Sequence, residues 1–298
     1  MSFDIGPVGS ERRTAGRHES KGVLYVVATP IGNLEDITLR ALKVLKLVQL
    51  VAAEDTRRTG NLLRHFGVET SILSVHEHNE RARVDRLVSH LAKGESVALV
   101  TDAGTPGISD PGAALVAAVR AAGFRIEPIP GASAVIAAIS ASGVTSQGFT
   151  FLGFPPIRSK DRKQWFDDLV AATRARLVVF FEAPHKIKRT FSELDLLVRR
   201  PIMVARELTK IHEELAWGTP AELSARFSDP QGEFTVLVPP IDPAERAQIT
   251  ASDEDVIVMF GQITDNNEAS SKRAVARLVG ERLGMTAKQV YDIIERNK

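Results

Sequence analysis

The residues best suited to chemistry begin with the run TDAGTPGISDPG (101–112), which holds three glycines and two prolines. It follows the apolar, strand-like SVALVTD (96–102) and opens a helical pattern from about Ala113 to Ala122. Glycines let backbone approach a ligand closely, and prolines fix the turn that presents it. A loop of this kind at the carboxyl end of a strand is where open α/β sheets hold ligands. A structural turn alone needs no twelve-residue stretch so poor in bulky side chains. A second small-residue turn, PGASA (130–134), also lies between a strand-like and a helical segment. Free N–H groups at such a helix start suit a carboxylate, with Ser133 as a ligand-binding or capping residue. Neither loop is a dinucleotide fingerprint or a P-loop, because G-x-G-x-x-G and G-x-x-x-x-G-K-[ST] are absent. G-x-S-x-G is absent as well, so a hydrolase elbow has no support.

Three polar clusters follow other strand-like runs: EDTRR (54–58), HEHNE (76–80) and EAPHK (182–186). Glu54, Asp55, His76 and His78 are the candidate general bases, and Arg57 can hold a phosphate or stabilise an alkoxide. They stay unranked, and capping of the next helix is the bland alternative for Glu54-Asp55. His76 and His78 share one side of a strand without an evident third ligand, so no metal site is expected.

The elements that must position these residues alternate. Strand-like runs at 23–29, 50–54, 71–75, 96–102 and 125–130 are separated by helical patterns at 38–48, 61–66, 80–93, 113–122 and 132–142. That is an α/β domain with a largely parallel sheet. The pattern restarts near 147, with strands at 149–154, 177–183, 202–207, 213–218 and 233–239 and helices at 160–174 and 185–199. Here strands sometimes follow one another directly, so a mixed sheet is expected. Residues 270–284 and 286–297 read as helices, with Thr286 as an N-cap. The expected divisions are a disordered arm (1–21), a first α/β domain (22–146), a second (147–241) and a helical module (242–298).

With 298 residues, 38 Lys+Arg against 37 Asp+Glu and no cysteine, disulfides, thiolate metal sites and a Cys nucleophile are excluded. No apolar run approaches the roughly 18–20 residues of a membrane span, and the N-terminal residues lack a signal-peptide core, so a cytoplasmic protein is expected. A net charge of +1 excludes a uniformly basic nucleic-acid binder. Local basic clusters remain: Arg158, Lys160, Arg162 and Lys163, and residues 269–298 with seven Lys/Arg against three Asp/Glu. A solvated face is the bland reading of either.

Taken together, VATPIGNLEDIT (27–38), AAEDTRRTGNLLRHFG (52–67), SVHEHNE (74–80), LVTDAGTPGISDPG (99–112), PGASA (130–134), FLGFPP (151–156), FFEAPHK (180–186), ARELTKIHEE (205–214) and GEFTVLV (232–238) resemble the tetrapyrrole methylase superfamily, the class III S-adenosylmethionine-dependent methyltransferases. Within it the likeness is to the branch that methylates small-subunit ribosomal RNA. The resemblance implies two α/β domains of the tetrapyrrole methylase type, with S-adenosylmethionine in the cleft between them. It further implies a homodimer and methylation of a cytidine ribose 2′-hydroxyl in the decoding region of 16S rRNA, presented in the small ribosomal subunit. By the same resemblance, Ile31, Gly104, Thr105, Pro106, Ile108, Ser133, Ala134, Phe181 and Leu208 contact the cofactor. Thr105 replaces the aspartate of many relatives.

The helical module resembles the helix-turn-helix-like extension of the rRNA branch, which makes Lys272, Arg273, Arg277 and Lys288 RNA-binding candidates beside Arg158, Lys160, Arg162 and Lys163. The alternatives are a small-molecule tetrapyrrole C-methylase and a non-catalytic cofactor-binding ribosome-assembly protein.

Overall fold

A computed structural model describes residues 21–76, 80–198, 200–241, 253–265, 271–283 and 285–297. The arm expected at 1–21, apart from Lys21, and the candidate base His78 lie outside the described residues.

The first sheet has five strands; four are short apolar runs whose successive side chains feed two different cores, and the last, RIEPI at the edge, buries only Ile129. They are β1 (Val23–Val27), β2 (Leu50–Ala53), β3 (Ile72–Ser74), β4 (Val97–Val100) and β5 (Arg125–Ile129). They form one fully parallel sheet in the order β3-β2-β4-β1-β5. On one face, Val27, Val51, Ala53, Ala98 and Val100 pack under helices α1 (Leu39–Leu47) and α2 (Thr56–His65). On the other, Leu24, Leu50, Ala52, Val97 and Leu99 pack under α3 (Glu80–Ala92) and α4 (Ala113–Ala121). Burial on both faces is why β2 and β4 read as continuous apolar runs. Helix α2 begins five residues before the expected 61–66, because Asp55 caps it by accepting from the Arg57 and Arg58 amides.

The second sheet is mixed. Its strands β6 (Phe149–Phe151), β7 (Leu177–Glu182), β8 (Ile202–Arg206), β9 (Glu214–Gly218) and β10 (Phe234–Val238) take the order β6-β7-β10-β8-β9. Only β6 and β7 pair in parallel. Helices α6 (Ser159–Thr173), α7 (Pro184–Leu197) and α8 (Pro220–Arg226) cover one face through Trp165, Phe166, Phe191 and Phe227. Helix α8 was not expected from the sequence. Its capping box, Thr219 with Glu222 and Pro220 at the first turn, carries the signal that marks it.

The opposite face of this sheet is covered by α5 (Ala134–Ser142), which the chain delivers from the first domain. Val135 and Ala138 are buried against Leu177, Val179, Met203, Ala205 and Leu237. The 146/147 division thus falls beyond a helix that is connected to one sheet and packed on the other. The C-terminal module comprises α9 (Asp253–Asp265), α10 (Lys272–Leu283) and α11 (Ala287–Arg296) around Val256, Ile263, Val279, Val290 and Ile293. Thr286 caps α11 in a capping box with Gln289, as expected.

One basic-cluster expectation is corrected. Arg158, Lys160 and Lys163 are exposed, but Arg162 is only 3% exposed. Its guanidinium donates to Glu193 Oε2 (2.7 Å), Thr190 Oγ1 (2.7 Å) and the Pro156 carbonyl (3.2 Å). Thr190 in turn donates to buried Glu182. Burial alone would raise Glu193, yet Arg162 and Arg189 hold its carboxyl below the ordinary range. Arg162 is therefore a structural cation and is not available to RNA. Removing it leaves Glu193 with exposed Arg189 alone and takes a donor from buried Thr190, so Arg162→Ala should cost about 2–4 kcal/mol in urea unfolding. Lys160→Ala, on the exposed face, should leave the midpoint unchanged.

Candidate active site

Three loops leave adjacent strand ends, because β4, β1 and β5 are neighbours in the sheet. The loops after β1 and β4 are joined by a two-bond bridge: Thr29 N–H donates to Gly104 O (2.9 Å) and Gly104 N–H to Thr29 O (3.1 Å). The Thr29 hydroxyl also donates to Thr101 O at 3.1 Å. The loop after β4 then turns through positive φ at Gly104 (80°), Gly107 (82°), Ser109 (65°) and Gly112 (128°). Glycine takes this left-handed backbone without the penalty a side chain would bring. Ser109 adopts it with a side chain, a local cost that presents Asp110 beside it.

These loops and the second domain enclose a cavity of about 340 Å³. The first domain contributes Ile31, Ala103, Gly104, Thr105, Ile108, Asp110, Ser133 and Ala134; the second contributes Phe154, Phe181, Glu182, Glu233, Phe234 and Thr235. Ser133 is the N-cap of α5 and makes no side-chain capping bond, so that helix start faces the cavity with amides to offer. Phe154 and Phe181 lie 5.5 Å apart between ring centroids and form an aromatic wall.

Seven of the nine residues that the resemblance nominated line this cavity: Ile31, Gly104, Thr105, Ile108, Ser133, Ala134 and Phe181. Pro106 is buried behind the loop, and Leu208 packs into the α5 core, so neither lines it. Sequence reasoning missed Asp110, Phe154 and the β10 start at Glu233–Thr235. Asp110 stood inside the quoted loop, but its glycines drew the reading toward backbone.

Four carboxylates gather near the carboxyl ends of β2 and β4. The Thr101 hydroxyl donates to Glu54 Oε2 (2.9 Å), and the Asp55 amide donates to Asp102 Oδ1 (3.0 Å). Arg58 pairs with Asp102 at 3.4 Å. Burial pushes the Asp110 carboxyl up to about 6, helped by Glu54, opposed by a hydrogen bond with Thr101, and raised further by Asp102 and Glu233. Asp55 is the opposite case. The Arg57 amide, ahead of that of Arg58 and both guanidinium charges, holds its carboxyl below the usual range. A carboxylate spent on a helix cap is a poor base, so Asp55 takes the capping role. Glu54 stands one residue behind the cavities through Thr101, Arg57 is exposed on α2, and His76 is half-buried beyond β3.

A second recess, about 530 Å³, shares Ile31, Ala103 and Glu233 with the first. It is lined by Arg58, Asn61, Leu62 and His65 of α2, by Pro30, Gly32 and Leu34 after β1, and by Lys210. The loop that carries Lys210 is clamped onto Gly32. A Cβ at Gly32 would lie 2.4 Å from Lys210 Cγ and 3.0 Å from Leu208 O. The Asn33 amide donates to Thr209 Oγ1 at 3.0 Å. Glu207 (φ 50°) and Thr209 (φ 67°) are left-handed here. That geometry is held by Lys210 Nζ donating to Glu207 (2.9 Å) and Glu233 (3.1 Å). Burial alone would lower Lys210, but the two carboxylates outweigh it and raise its pKa.

A parallel sheet and a mixed sheet that share one helix, with a cavity at their junction, define the tetrapyrrole methylase class of protein. The Tetrapyrrole (Corrin/Porphyrin) Methylases family profile matches residues 23–224. A solved cobalt precorrin-4 methyltransferase superposes with a TM-score of 0.56 at 19% identity, covering 74% of this chain and 96% of its own. At that identity the likeness shows the fold alone. A Synechocystis protein named ribosomal RNA small subunit methyltransferase I is 45% identical over 229 residues, 76% of this chain and 81% of its own. A Neisseria meningitidis serogroup B protein of the same name is 42% identical over 277 residues, 91% of this chain and 92% of its own. The chain belongs to the ribosomal RNA small subunit methyltransferase I family.

The Gly32 clamp sets the wall common to both recesses. Gly32→Ala forces either Lys210 or the loop backbone to move, and should cost about 1–3 kcal/mol. Urea unfolding of the variant beside the wild type measures it.

Proposed function

We propose that the chain is an S-adenosylmethionine-dependent methyltransferase that methylates the ribose 2′-hydroxyl of a cytidine in 16S rRNA. It acts on the small ribosomal subunit, in the cytoplasm, as a homodimer. The observation that carries this reading is the junction cavity, in a chain that belongs to a family of rRNA methyltransferases. The cavity suits the cofactor chemically. Apolar Ile31, Ile108, Phe154 and Phe181 suit its uncharged parts, the start of α5 suits a carboxylate, and Asp110, Glu182 and Glu233 suit positive charge. Gly104 carries no side chain into the space.

When bound, S-adenosylmethionine supplies an electrophilic methyl group. The protein's own contribution is orientation: the acceptor oxygen must meet that carbon in line, in a water-poor pocket. As the new C–O bond forms and the S–C bond breaks, the hydroxyl proton needs an acceptor. Asp110 lines the cavity, and its pKa of about 6 lets it hold a proton yet be ionised at neutral pH. Glu54, one hydrogen bond away through Thr101, and His76 are the other described candidates. Arg158, Lys160 and Lys163 on α6, with Lys272, Arg273, Arg277 and Lys288 on the C-terminal module, are exposed and serve as phosphate contacts.

Transfer of labelled methyl from S-adenosylmethionine to small subunits lacking the modification tests the reading. Label at a single alkali-resistant linkage is expected. Label at an alkali-sensitive position overturns the chemistry, and no label despite cofactor binding moves the assignment to a small-molecule substrate or an assembly role. Thr105→Arg, which fills the cavity, should abolish cofactor binding by calorimetry and transfer together.

The proton acceptor predicts a pH profile. Asp110 is protonated below about 6, so kcat/KM should rise as pH increases through that value and level off above it. Asp110→Asn should lose about 10²–10⁴ in rate and erase this acidic limb. An unchanged limb in stopped-time assays from pH 5 to 8 would assign the proton elsewhere.

A further inference from the structure

We propose that the second recess is the subsite for the acceptor nucleotide, a single RNA residue taken out of its strand. Asn61 and His65 meet its base, and Arg58 holds its phosphate. This rests on the reading above and deepens it. Methyl transfer requires donor and acceptor in contact, so the acceptor must occupy a space that opens onto the donor cavity. The second recess does so through a common wall, Ile31, Ala103 and Glu233. Its volume, about 530 Å³, falls in the range of small-ligand sites.

The lining has the composition a nucleotide needs. Arg58, Asn61 and His65 stand at i, i+3 and i+7 on α2, one helix face spanning about 10 Å. An amide offers both donor and acceptor to a base edge, and an imidazole offers a flat ring for stacking as well as hydrogen bonds. A guanidinium matches phosphate with a planar fork. Pro30, Leu34 and Leu62 supply apolar surface for a base.

The fold makes little use of the three polar residues: Asn61 Oδ1 accepts from exposed Arg64 at 2.8 Å, and the His65 ring meets Phe66 edge-on. All three are exposed, and only Thr59 and Leu63 of α2 are buried. Arg58 makes one ion pair, at 3.4 Å, with 69% of its side chain exposed, an exposed contact that a phosphate can replace. Lys210 differs. Its ammonium is held by Glu207 and Glu233, so it forms the far wall and leaves the phosphate to Arg58. This assignment also separates two tasks. Exposed cations on α6 and the C-terminal helices dock the strand without regard to sequence, while α2 receives one nucleotide.

The chain has no cysteine, so a single introduced thiol reports on the recess without reference to activity. In His65→Cys the thiol faces the recess, whereas in Glu69→Cys it is exposed just beyond α2 and outside the lining. With small subunits and S-adenosylhomocysteine present, alkylation of His65→Cys should slow about tenfold, and that of Glu69→Cys should not. In parallel, Asn61→Ala should lower kcat/KM for subunits about 10–100-fold with cofactor affinity unchanged. Equal alkylation of both thiols, while the wild-type chain transfers methyl, overturns the subsite alone. Failure of the wild-type chain to methylate subunits overturns the functional reading and the subsite with it.

Discussion

The burial of α5 under the second sheet is the interaction on which the rest depends. The helix is fastened by its chain to β5, yet Val135 and Ala138 are buried against Leu177, Val179, Met203 and Leu237. Burying a valine side chain fully contributes about 1.5–3 kcal/mol, and several such contacts hold the two sheets in one fixed relation. The small residues of the helix allow that close approach. Its first residues, Ser133 and Ala134, thereby become a wall of the junction cavity. Were α5 packed only on its own sheet, Phe181 and Thr235 would have no reason to face Gly104 and Thr105 across one space. The cavity is a consequence of core packing, and the Gly32 clamp closes the same junction from its other side.

That clamp shows how local strain is offset. Left-handed Glu207 and Thr209 each cost of order 1–3 kcal/mol in isolation. The loop is nonetheless held by Lys210 bridging Glu207 and Glu233, by the Glu233 amide donating to Glu207 Oε1 (2.8 Å), and by the Thr209 amide donating to Glu213 (2.6 Å). The bridge also fixes Glu233, which lines both recesses. A structural ion pair and a site carboxylate are thus the same group.

Much of this was legible in the sequence where the pattern is local. Strands buried on both faces appear as apolar runs, and the glycine-rich 101–112, read as a ligand loop, lines the junction cavity through Gly104 and its neighbours. What a residue faces after the chain folds back is less local. Arg162 reads as one of four clustered cations, yet it shares a helical stripe with Trp165, Phe166, Leu169 and Thr173, all buried. That periodicity was available and outweighs the charge count. The allegiance of α5 was not available, since an apolar, alanine-rich helix fits under either sheet. Asp110 was hidden for a related reason. Its character comes first from burial in the folded cavity and then from Glu54, Asp102 and Glu233, which converge on it from three separate segments.

The carboxylate cluster and the cavity belong to one electrostatic argument. Glu54, Asp102, Asp110 and Glu233 face the cationic Arg58 and Lys210; burial first, and then this excess of negative charge, keeps a proton on Asp110 up to about 6. A cation entering the cavity opposes the same repulsion and pulls that pKa down. By linkage, an ionised Asp110 then favours the cation in turn. A sulfonium-bearing occupant and a proton are therefore competitors for one region of charge. Filling the cavity extends to lower pH the range in which Asp110 is ionised, the form that proton acceptance requires. No conformational change is needed for this coupling, only the desolvated geometry that α5 and the Gly32 clamp impose.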